Sequence, residues 1–341
     1  MTDYYRPIPS CDPARPDGAV TLAGGWAWFD RVELLRRGAA PMVMGCDAVP
    51  SAVLARLTAP RPALAGLSFE TPAIMGILNV TPDSFSDGGE HEERSTALRR
   101  AREMAQEVEI IDIGGESTRP GANEVPVPEE IARTVPVISE LRASGVASPI
   151  SIDTRKAEVA RAALAAGADL VNDVSGLGFD PAMLPLLAET GAPLCLMHSV
   201  ATPATMQDDP RYDDVLLDVY DFLEERLIRA EAGGLPRERV IVDPGIGFGK
   251  TLEHNLALLA RLSLFHTLGC AVLLGASRKR FVGAVGGAAE ARDRAPGSIA
   301  VALAAVAQGV QIVRVHDTAE TAQALRLARA AWSGKQPEGG R

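Results

Sequence analysis

The sequence GVASPISIDTRKAEVARAALAAGADLVNDV, residues 145–174, contains one complete repeating unit of the chain. Gly145 and Gly167 each precede a short apolar run, at residues 149–153 and 168–173, and an amphipathic segment lies between the two runs. Glycine suits the left-handed residue that ends a helix, and short apolar runs are typical of strands covered on both faces. The stretch therefore predicts a strand, a helix and a second strand parallel to the first.

The same order recurs on both sides of this unit. Eight predicted strands lie at residues 74–80, 110–114, 149–153, 168–173, 193–198, 240–243, 271–275 and 311–316. Helix-compatible segments follow the strands, for example at residues 96–108, 129–143, 156–166, 214–232, 298–308 and 319–332. The block has the length typical of eight such units, roughly 250 residues. We predict an α/β fold, a (β/α)8 TIM barrel with an N-terminal extension, and an open doubly wound sheet is the alternative.

Residues 1–70 differ from the repeating block and form a predicted N-terminal extension, a packing or lid segment. This part is proline-rich at its start, aromatic at residues 26–29, helix-like at residues 32–37, and resembles a linker at residues 56–62. No residue cluster in it suggests chemistry. The catalytic domain is predicted at residues 71–334, and residues 335–341 are a predicted C-terminal tail.

Composition and charge exclude several classes of protein. Of the 341 residues, 47% are apolar, so the chain can bury a full core. The net charge of −10 argues against a general nucleic-acid surface. The longest apolar run, residues 299–307, is too short to span a membrane. The N-terminus has no apolar signal segment, and the four cysteines form no C-x-x-C pair. We expect a reduced, cytoplasmic protein without disulfides or structural zinc.

Polar side chains concentrate where the predicted strands end. In a TIM barrel these ends share one face, and active sites are built there. A single Asp or Asn at such a position is usually a helix cap, but a polar end on all eight strands is hard to explain in this way. We therefore interpret the ring as a site. Its members include Asn79, Asp112, Asp153, Asn172, His198, Asp243, Lys279, Arg314 and His316.

The chemistry of this ring narrows the ligand. The carboxylates and amide of Asp153, Asn172 and Asp243 can pair with the edge of a flat nitrogen heterocycle. Basic side chains at other strand ends suit a phosphate or diphosphate. These are Arg119, Lys279, Arg314 and His316. We expect a ligand with a heterocycle on one side and an anionic group on the other.

The loops after the first two strands, residues 81–89 and 116–122, mix glycine and proline with polar residues. Loops of this kind over a barrel mouth often exclude water from the reaction. Ordinary surface turns are the alternative, because the same residues are common turn formers.

Two stretches resemble the signatures of the dihydropteroate synthase family. They read MGILNVTPDSFSDGG, residues 75–89, and IDIGGESTRPG, residues 111–121. Six shorter landmarks follow in order, namely SIDT at 151–154, NDV at 172–174, LMH at 196–198, DPGIGFGK at 243–250, SRK at 277–279 and RVHD at 314–317. The match extends from about residue 73 to the C-terminus and leaves the extension outside. One departure lies at residues 199–203, which read SVATP where the family pattern is closer to MQGxP.

The resemblance implies a folate-pathway transferase that joins 6-hydroxymethyl-7,8-dihydropterin diphosphate to 4-aminobenzoate, giving 7,8-dihydropteroate and diphosphate. It implies that the pterin is held by Asp153, Asn172, Asp243 and Lys279, with Met197 against its face. It implies Mg²⁺ at Asn79, and diphosphate oxygens at Arg314 and His316. The aminobenzoate side would comprise Phe85, Thr118, Arg119, Phe248, Ser277 and Lys279. Asp87 would lie in a loop that closes over the reaction.

The chemistry implied here needs no protein nucleophile, because diphosphate departs and the arylamine attacks. Similarity also implies a homodimer, for which the apolar residues 299–307 are a candidate interface. A corrinoid-type pterin-binding methyltransferase and a non-catalytic pterin-binding homologue are the alternatives.

Two side chains near the landmarks leave their roles open. Residues 243–251 superficially resemble a phosphate loop, but Pro244 occupies the position where that motif needs its first glycine. Lys250 is then either a local support or a surface residue. His198 either positions its neighbours or contacts a ligand.

Overall fold

The computed structural model describes residues 2–80, 90–117, 124–199 and 210–335. Its strands are β1 (Tyr4–Pro7), β2 (Val20–Thr21), β3 (Trp28–Phe29), β4 (Arg31–Leu35), β5 (Met42–Gly45), β6 (Ala73–Asn79), β7 (Ile110–Gly114), β8 (Ile150–Asp153), β9 (Leu170–Asp173), β10 (Leu194–Met197), β11 (Val240–Asp243), β12 (Ala271–Leu274) and β13 (Ile312–Val315). Its α-helices are α1 (Ser51–Thr58), α2 (Glu90–Met104), α3 (Val127–Ala143), α4 (Ala157–Ala165), α5 (Met183–Thr190), α6 (Val215–Ala232), α7 (Leu252–Ala260), α8 (Arg280–Gly286), α9 (Ala295–Ala307) and α10 (Thr318–Ser333).

Strands β6 to β13 form a closed barrel of eight parallel strands, in which β13 pairs with β6. This confirms the predicted (β/α)8 barrel with an N-terminal extension. Each barrel strand lies within two residues of its predicted bounds. The strands are almost entirely buried because the barrel interior covers one face and the helices cover the other. No helix in the described ranges is long and apolar enough to cross a membrane.

Local sequence signals explain where the barrel helices begin and end. The Asp214 carboxylate accepts hydrogen bonds from the amides of Leu216 and Leu217, which starts α6. Thr251 and His254 form a reciprocal cap at the start of α7. Helix α5 ends at Gly191, whose φ of +66° lies in the left-handed region that glycine reaches without a steric penalty.

Part of the extension closes the amino end of the barrel. Leu64, Leu67 and Phe69 are buried in one apolar cluster with side chains from the first residues of the barrel strands, such as Ile110 and Ile312. This end lies opposite the carboxyl ends of the strands. The segment before α1 forms an antiparallel sheet in the order β1-β4-β5, and Tyr4 on β1 packs edge-on against Tyr220 of α6.

Two predictions for the extension were wrong in detail. The helix-like run at residues 32–37 is largely strand β4, because pairing with β1 on one side and β5 on the other satisfies its backbone. The predicted linker at 56–62 begins inside α1, which continues to Thr58. The helix ends there because Ala59 precedes Pro60 and is extended, with ψ of 126°.

Arg61 attaches the extension to the barrel. It is 7% exposed, and its guanidinium donates to the carbonyl oxygens of Cys270 at 3.0 Å and His266 at 2.8 Å. It also donates to the carbonyl oxygens of Arg56 and Ala59 in and after α1. The contact therefore ties the end of α1 to the chain that leads into β12.

We expect Arg61→Met to lower the free energy of unfolding by about 2–3 kcal/mol, because several buried carbonyl oxygens lose their donor. Urea denaturation measures the change. Arg15→Met is the matched control, because Arg15 makes its hydrogen bonds at the exposed surface. Equal stability of the two variants would contradict a role for Arg61 in holding the extension.

Candidate active site

Polar side chains from four strands meet at the carboxyl end of the barrel. Arg314, on β13, donates from Nε to Asp112 Oδ2 at 2.6 Å and from Nη2 to Asp153 Oδ2 at 2.7 Å. Asn172, on β9, donates from Nδ2 to the same Asp112 oxygen at 3.2 Å. The strand register explains the meeting, since Gly114 pairs with Asp153 and Asp153 pairs with Asn172 at one level of the barrel.

Two carboxylate oxygens in this group remain open. Within the described part of the chain, Asp112 Oδ1 and Asp153 Oδ1 are buried and have no hydrogen-bond partner. Burial raises the pKa of the Asp153 carboxyl, the nearby Arg314 opposes this, and Asp112 adds to it. An open buried acceptor is unfavourable in a folded protein. The site is therefore prepared for ligand groups that carry N–H donors.

A second group lies on the β11 and β12 side of the mouth. The amide of Gly245 donates to Asp243 Oδ1 at 2.7 Å, and burial raises the pKa of the Asp243 carboxyl. Lys279 donates to the carbonyl oxygen of Ile246, and its Nζ lies 4.4 Å from the centre of the Phe248 ring. Burial lowers the pKa of Lys279 to about 8, although Asp243 acts in the opposite direction.

The two groups face a common space across Gly275. A Cβ atom at Gly275 would lie 3.5 Å from Asp243 Oδ2 and 4.0 Å from Arg314 Cδ. A side chain at this position would therefore come between the carboxylate and the guanidinium. Met197 is buried and pairs with Asp243 across β10 and β11, which places it beside the same space.

The turn that carries Ser277 and Lys279 is held by its neighbours. Ser277 Oγ lies 3.2 Å from the amide of His316 and 3.1 Å from His316 Nδ1. Arg278 has a φ of +58°, and its guanidinium pairs with Asp317. These contacts connect the chain after β12 to the chain after β13, so Ser277, Lys279 and His316 belong to one corner of the site.

Asn79 ends β6 next to the carboxylate group. A Cβ atom at Gly114 would lie 3.7 Å from Asn79 Oδ1 and 3.5 Å from Asp153 Cβ. The amide oxygen of Asn79 is therefore separated from Asp153 only by the glycine of the neighbouring strand, and Asn79 lies at the edge of the same space.

Ten of the fourteen predicted site residues lie at this end of the barrel. The other four, Phe85, Asp87, Thr118 and Arg119, lie outside the described residues, as do positions 200–203 of the departure at 199–203. Asp112 also belongs to the site. The sequence placed it in the polar ring but assigned it no specific role. Its signal was present, since Asp112 lies in a polar strand end of the same type as Asp153, but the contact with Arg314 was not visible.

A groove of 830 Å³ lies elsewhere, at the amino end of the barrel. Residues 62–65 of the extension line it together with Arg161, Asp169 and Arg239. None of the polar strand ends described above borders it, so it is separate from the candidate site.

Comparisons with known proteins agree with this geometry. A family model described as a pterin binding enzyme matches residues 75–316. The dihydropteroate synthase of Escherichia coli strain K12 is 46% identical over 263 residues, which cover 77% of this chain and 92% of that protein. A solved structure of Xanthomonas albilineans dihydropteroate synthase with 4-aminobenzoic acid is 46% identical, with a TM-score of 0.74, and covers 78% of this chain and 96% of that chain. Another from the same organism, in complex with 7,8-dihydropteroate, is 43% identical, with a TM-score of 0.70, and covers 78% and 95%.

Removing the charge of Arg314 tests the electrostatics of the site. We expect Arg314→Met to lower the free energy of unfolding by about 3–5 kcal/mol near pH 8, because Asp112 and Asp153 lose their counter-ion. The deficit should be smaller near pH 5. Burial already raises the pKa of the Asp153 carboxyl and Arg314 opposes this. In the variant this folded-state pKa rises further above the unfolded value, so stability present at low pH is lost as the pH rises.

Chemical denaturation at both pH values measures this effect. Arg161→Met is the control, because Arg161 pairs with Glu189 on an exposed surface, and such pairs contribute little. A deficit of Arg314→Met that is the same at pH 5 and pH 8 would contradict the assignment.

Proposed function

The chain belongs to the dihydropteroate synthase family of pterin-binding enzymes, and from this premise we propose how its residues share the reaction. The enzyme is a transferase of folate biosynthesis. It joins 6-hydroxymethyl-7,8-dihydropterin diphosphate to 4-aminobenzoate and forms 7,8-dihydropteroate and diphosphate. The observation that carries the assignment is the convergence of Asp112, Asp153, Asn172, Asp243 and Arg314 on one buried space with open carboxylate oxygens.

The pterin edge suits these groups. It presents an amino group and ring N–H donors beside ring acceptors, and Asp153 Oδ1 is a buried acceptor still open to such a donor. Asp112 uses one of the two Nδ2 protons of Asn172, so the second N–H and the carbonyl oxygen of this amide pair with the pterin. Asp243 and Lys279 then supply an acceptor and a donor from the opposite side, and Met197 packs against the ring face.

The leaving group is placed at the outer part of the site. Arg314 and His316 bind diphosphate oxygens in this proposal, and the positive charge of Arg314 stabilises the charge that develops as diphosphate departs. Arg314 also contacts Asp153, so it lies between the heterocycle and the diphosphate and fixes their relative position.

The proposal includes Mg²⁺, because the oxygen ligand at the edge of the site suits this ion. In the described ranges, no group of three or more His, Cys, Asp and Glu side chains could hold a metal ion. Asn79 offers one hard oxygen at the edge of the site, which fits an ion that keeps waters and takes its other ligands from substrate phosphates. When bound, Mg²⁺ neutralises charge on the diphosphate. Asn79 would hold it there.

The reaction breaks the bond between the pterin methylene carbon and the diphosphate oxygen. The arylamine nitrogen of 4-aminobenzoate then forms a bond to that carbon and releases a proton. The buried carboxylates of Asp112 and Asp153 favour positive charge on the pterin methylene while the bond breaks. The aminobenzoate is bound by Phe248, Ser277 and Lys279. By resemblance, Phe85, Thr118 and Arg119 also bind it, and Asp87 lies in the closing loop.

The decisive experiment is diphosphate release that depends on 4-aminobenzoate. We expect release with both substrates and Mg²⁺, and none when the arylamine is omitted. Binding of the pterin diphosphate without release at saturating arylamine would support the binding-only alternative. Transfer of a methyl group to a corrinoid would support the methyltransferase alternative.

A homodimer through α9 and a cytoplasmic location belong to the same proposal. Ala300 and Ala304 lie exposed on α9, with Ile299 and Leu303 half-buried, so the outer face of this helix is apolar. We expect Ala300→Arg to shift the sedimentation coefficient from dimer to monomer.

The four cysteines are unpaired, which agrees with a reducing compartment. Cell fractionation tests that location.

We expect Asp243→Asn to weaken binding of the pterin diphosphate by about 10- to 100-fold, because one acceptor becomes a donor in a buried pair. Isothermal titration calorimetry measures the dissociation constant. Asp221→Asn, on α6 beside Tyr4, makes the same chemical change far from the site and should leave the affinity unchanged. Unchanged affinity in Asp243→Asn would argue against the proposed pocket.

Arg119→Ala should lower kcat more than it lowers pterin affinity. The resemblance assigns Arg119 to the aminobenzoate side, so its loss acts after the pterin is bound. Steady-state kinetics combined with calorimetry separate the two effects. Equal losses in both quantities would place Arg119 at the pterin instead.

A further inference from the structure

Lys250 belongs to the loop that joins β11 to α7, and its side chain is buried. The residue as a whole is 4% exposed, which excludes the surface role that the sequence left open. Its Nζ lies 2.9 Å from each of three acceptors, the carbonyl oxygens of Gly245 and Phe248 and the Nδ1 atom of His198. Burial lowers the pKa of Lys250, and the nearby Asp243 opposes this. In its ammonium form Lys250 has three protons to donate. All three are engaged inside the protein, so none remains for a substrate.

These acceptors belong to the residues that form one wall of the site. The amide of Gly245 holds Asp243 Oδ1, while the carbonyl oxygen of Gly245 accepts from Lys250. The ring of Phe248 lies against Lys279, while the carbonyl oxygen of Phe248 accepts from Lys250. Each residue whose carbonyl oxygen binds Lys250 therefore also contacts a side chain of the site, Asp243 for Gly245 and Lys279 for Phe248.

His198, the residue that directly follows β10, completes this arrangement. Its amide donates to the carbonyl oxygen of Asp243 at 2.9 Å. Gly245 has a φ of +68°, and a Cβ atom there would lie 2.1 Å from the His198 carbonyl oxygen, so the loop approaches β10 as closely as backbone permits. Burial lowers the pKa of His198 to about 2, and the charge of Lys250 acts in the same direction. His198 is thus neutral and accepts from Lys250 at Nδ1.

Aromatic packing keeps the His198 ring in this orientation. Phe222, on α6, lies edge-on to it at 4.7 Å between ring centres, and Tyr212 lies at 6.0 Å. The Tyr212 hydroxyl also donates to the carbonyl oxygen of Gly249 at 2.8 Å. The aromatic contacts fix the plane of the ring, and a half-turn that moved Nδ1 away would lose the hydrogen bond to Lys250.

We propose that Lys250 and His198 are a positioning pair, which sets the orientation of Asp243 and Phe248 relative to Lys279 without touching substrate. The inference rests on the proposed function and deepens it. It assigns to the final lysine of the DPGIGFGK stretch a role in both halves of the reaction, since Asp243 lies on the pterin side and Phe248 on the aminobenzoate side.

Lys250→Met tests the proposal, because Met retains most of the volume but none of the donors. We expect the dissociation constant of the pterin diphosphate to rise about 10-fold and kcat to fall on the order of 100-fold, since small misplacements of reacting groups are costly in rate. Arg61→Met is the control. It also removes a buried cation that donates to carbonyl oxygens, but at the other end of the barrel, so it should lower the melting temperature and leave both constants unchanged per folded molecule.

A pair of His198 variants provides a second, milder test. Asn places an acceptor near the position of Nδ1, so His198→Asn should stay within about threefold of the wild-type constants. His198→Leu offers no acceptor and should lose affinity and kcat as Lys250→Met does. This comparison decides the question alone if Lys250→Met does not fold.

Two results would overturn the proposal. One is a folded Lys250→Met protein with the same constants as Arg61→Met, and the other is equal behaviour of His198→Asn and His198→Leu. Failure of the proposed function has a different signature. There the wild-type chain binds the pterin diphosphate but releases no diphosphate with 4-aminobenzoate, and the effect of Lys250→Met on pterin affinity is still measured.

Discussion

Two carboxylates lie side by side at the carboxyl end of the barrel because Arg314 lies between them. Taking an ion out of water is costly unless a close partner of opposite charge compensates it, and Arg314 serves Asp112 and Asp153 at 2.6 and 2.7 Å. Each carboxylate uses one oxygen for the guanidinium and keeps the other open. The ion pairs with Arg314 therefore compensate the two buried negative charges and still leave one oxygen of each carboxylate free to accept a hydrogen bond from a ligand.

The two ends of the barrel have opposite chemistry. At the amino end, Leu64, Leu67 and Phe69 from the extension cover the interior with apolar side chains, and Arg61 holds that segment in place. At the carboxyl end, Asp112 Oδ1 and Asp153 Oδ1 are buried without a hydrogen-bond partner among the described residues. A well-packed end can stabilise the fold while the other retains unsatisfied groups for binding, as stability and function often compete at a site.

The parallel register distributes the site over distant parts of the chain. Pairing of Gly114 with Asp153, Asp153 with Asn172, and Met197 with Asp243 places residues from successive strands at one level. The loop that follows β11 is also held by specific hydrogen bonds. The buried Nζ of Lys250 makes three hydrogen bonds to protein atoms, and two of these bind carbonyl oxygens of the loop between β11 and α7.

The sequence by itself determined the eight strands, the barrel, and the strand-end residues Asp153, Asn172 and Asp243, because a short apolar run that ends in a polar residue is a local pattern. It did not determine the secondary structure of residues 32–37, because their strand pairing depends on β1 and β5. Nor did it give Asp112 a role within the ring, because its partner Arg314 lies 202 positions away in the chain. The burial of Lys250 was also decided only by tertiary structure. Charge compensation and hydrogen bonding between distant segments exist only once the barrel has closed, and no local pattern records them.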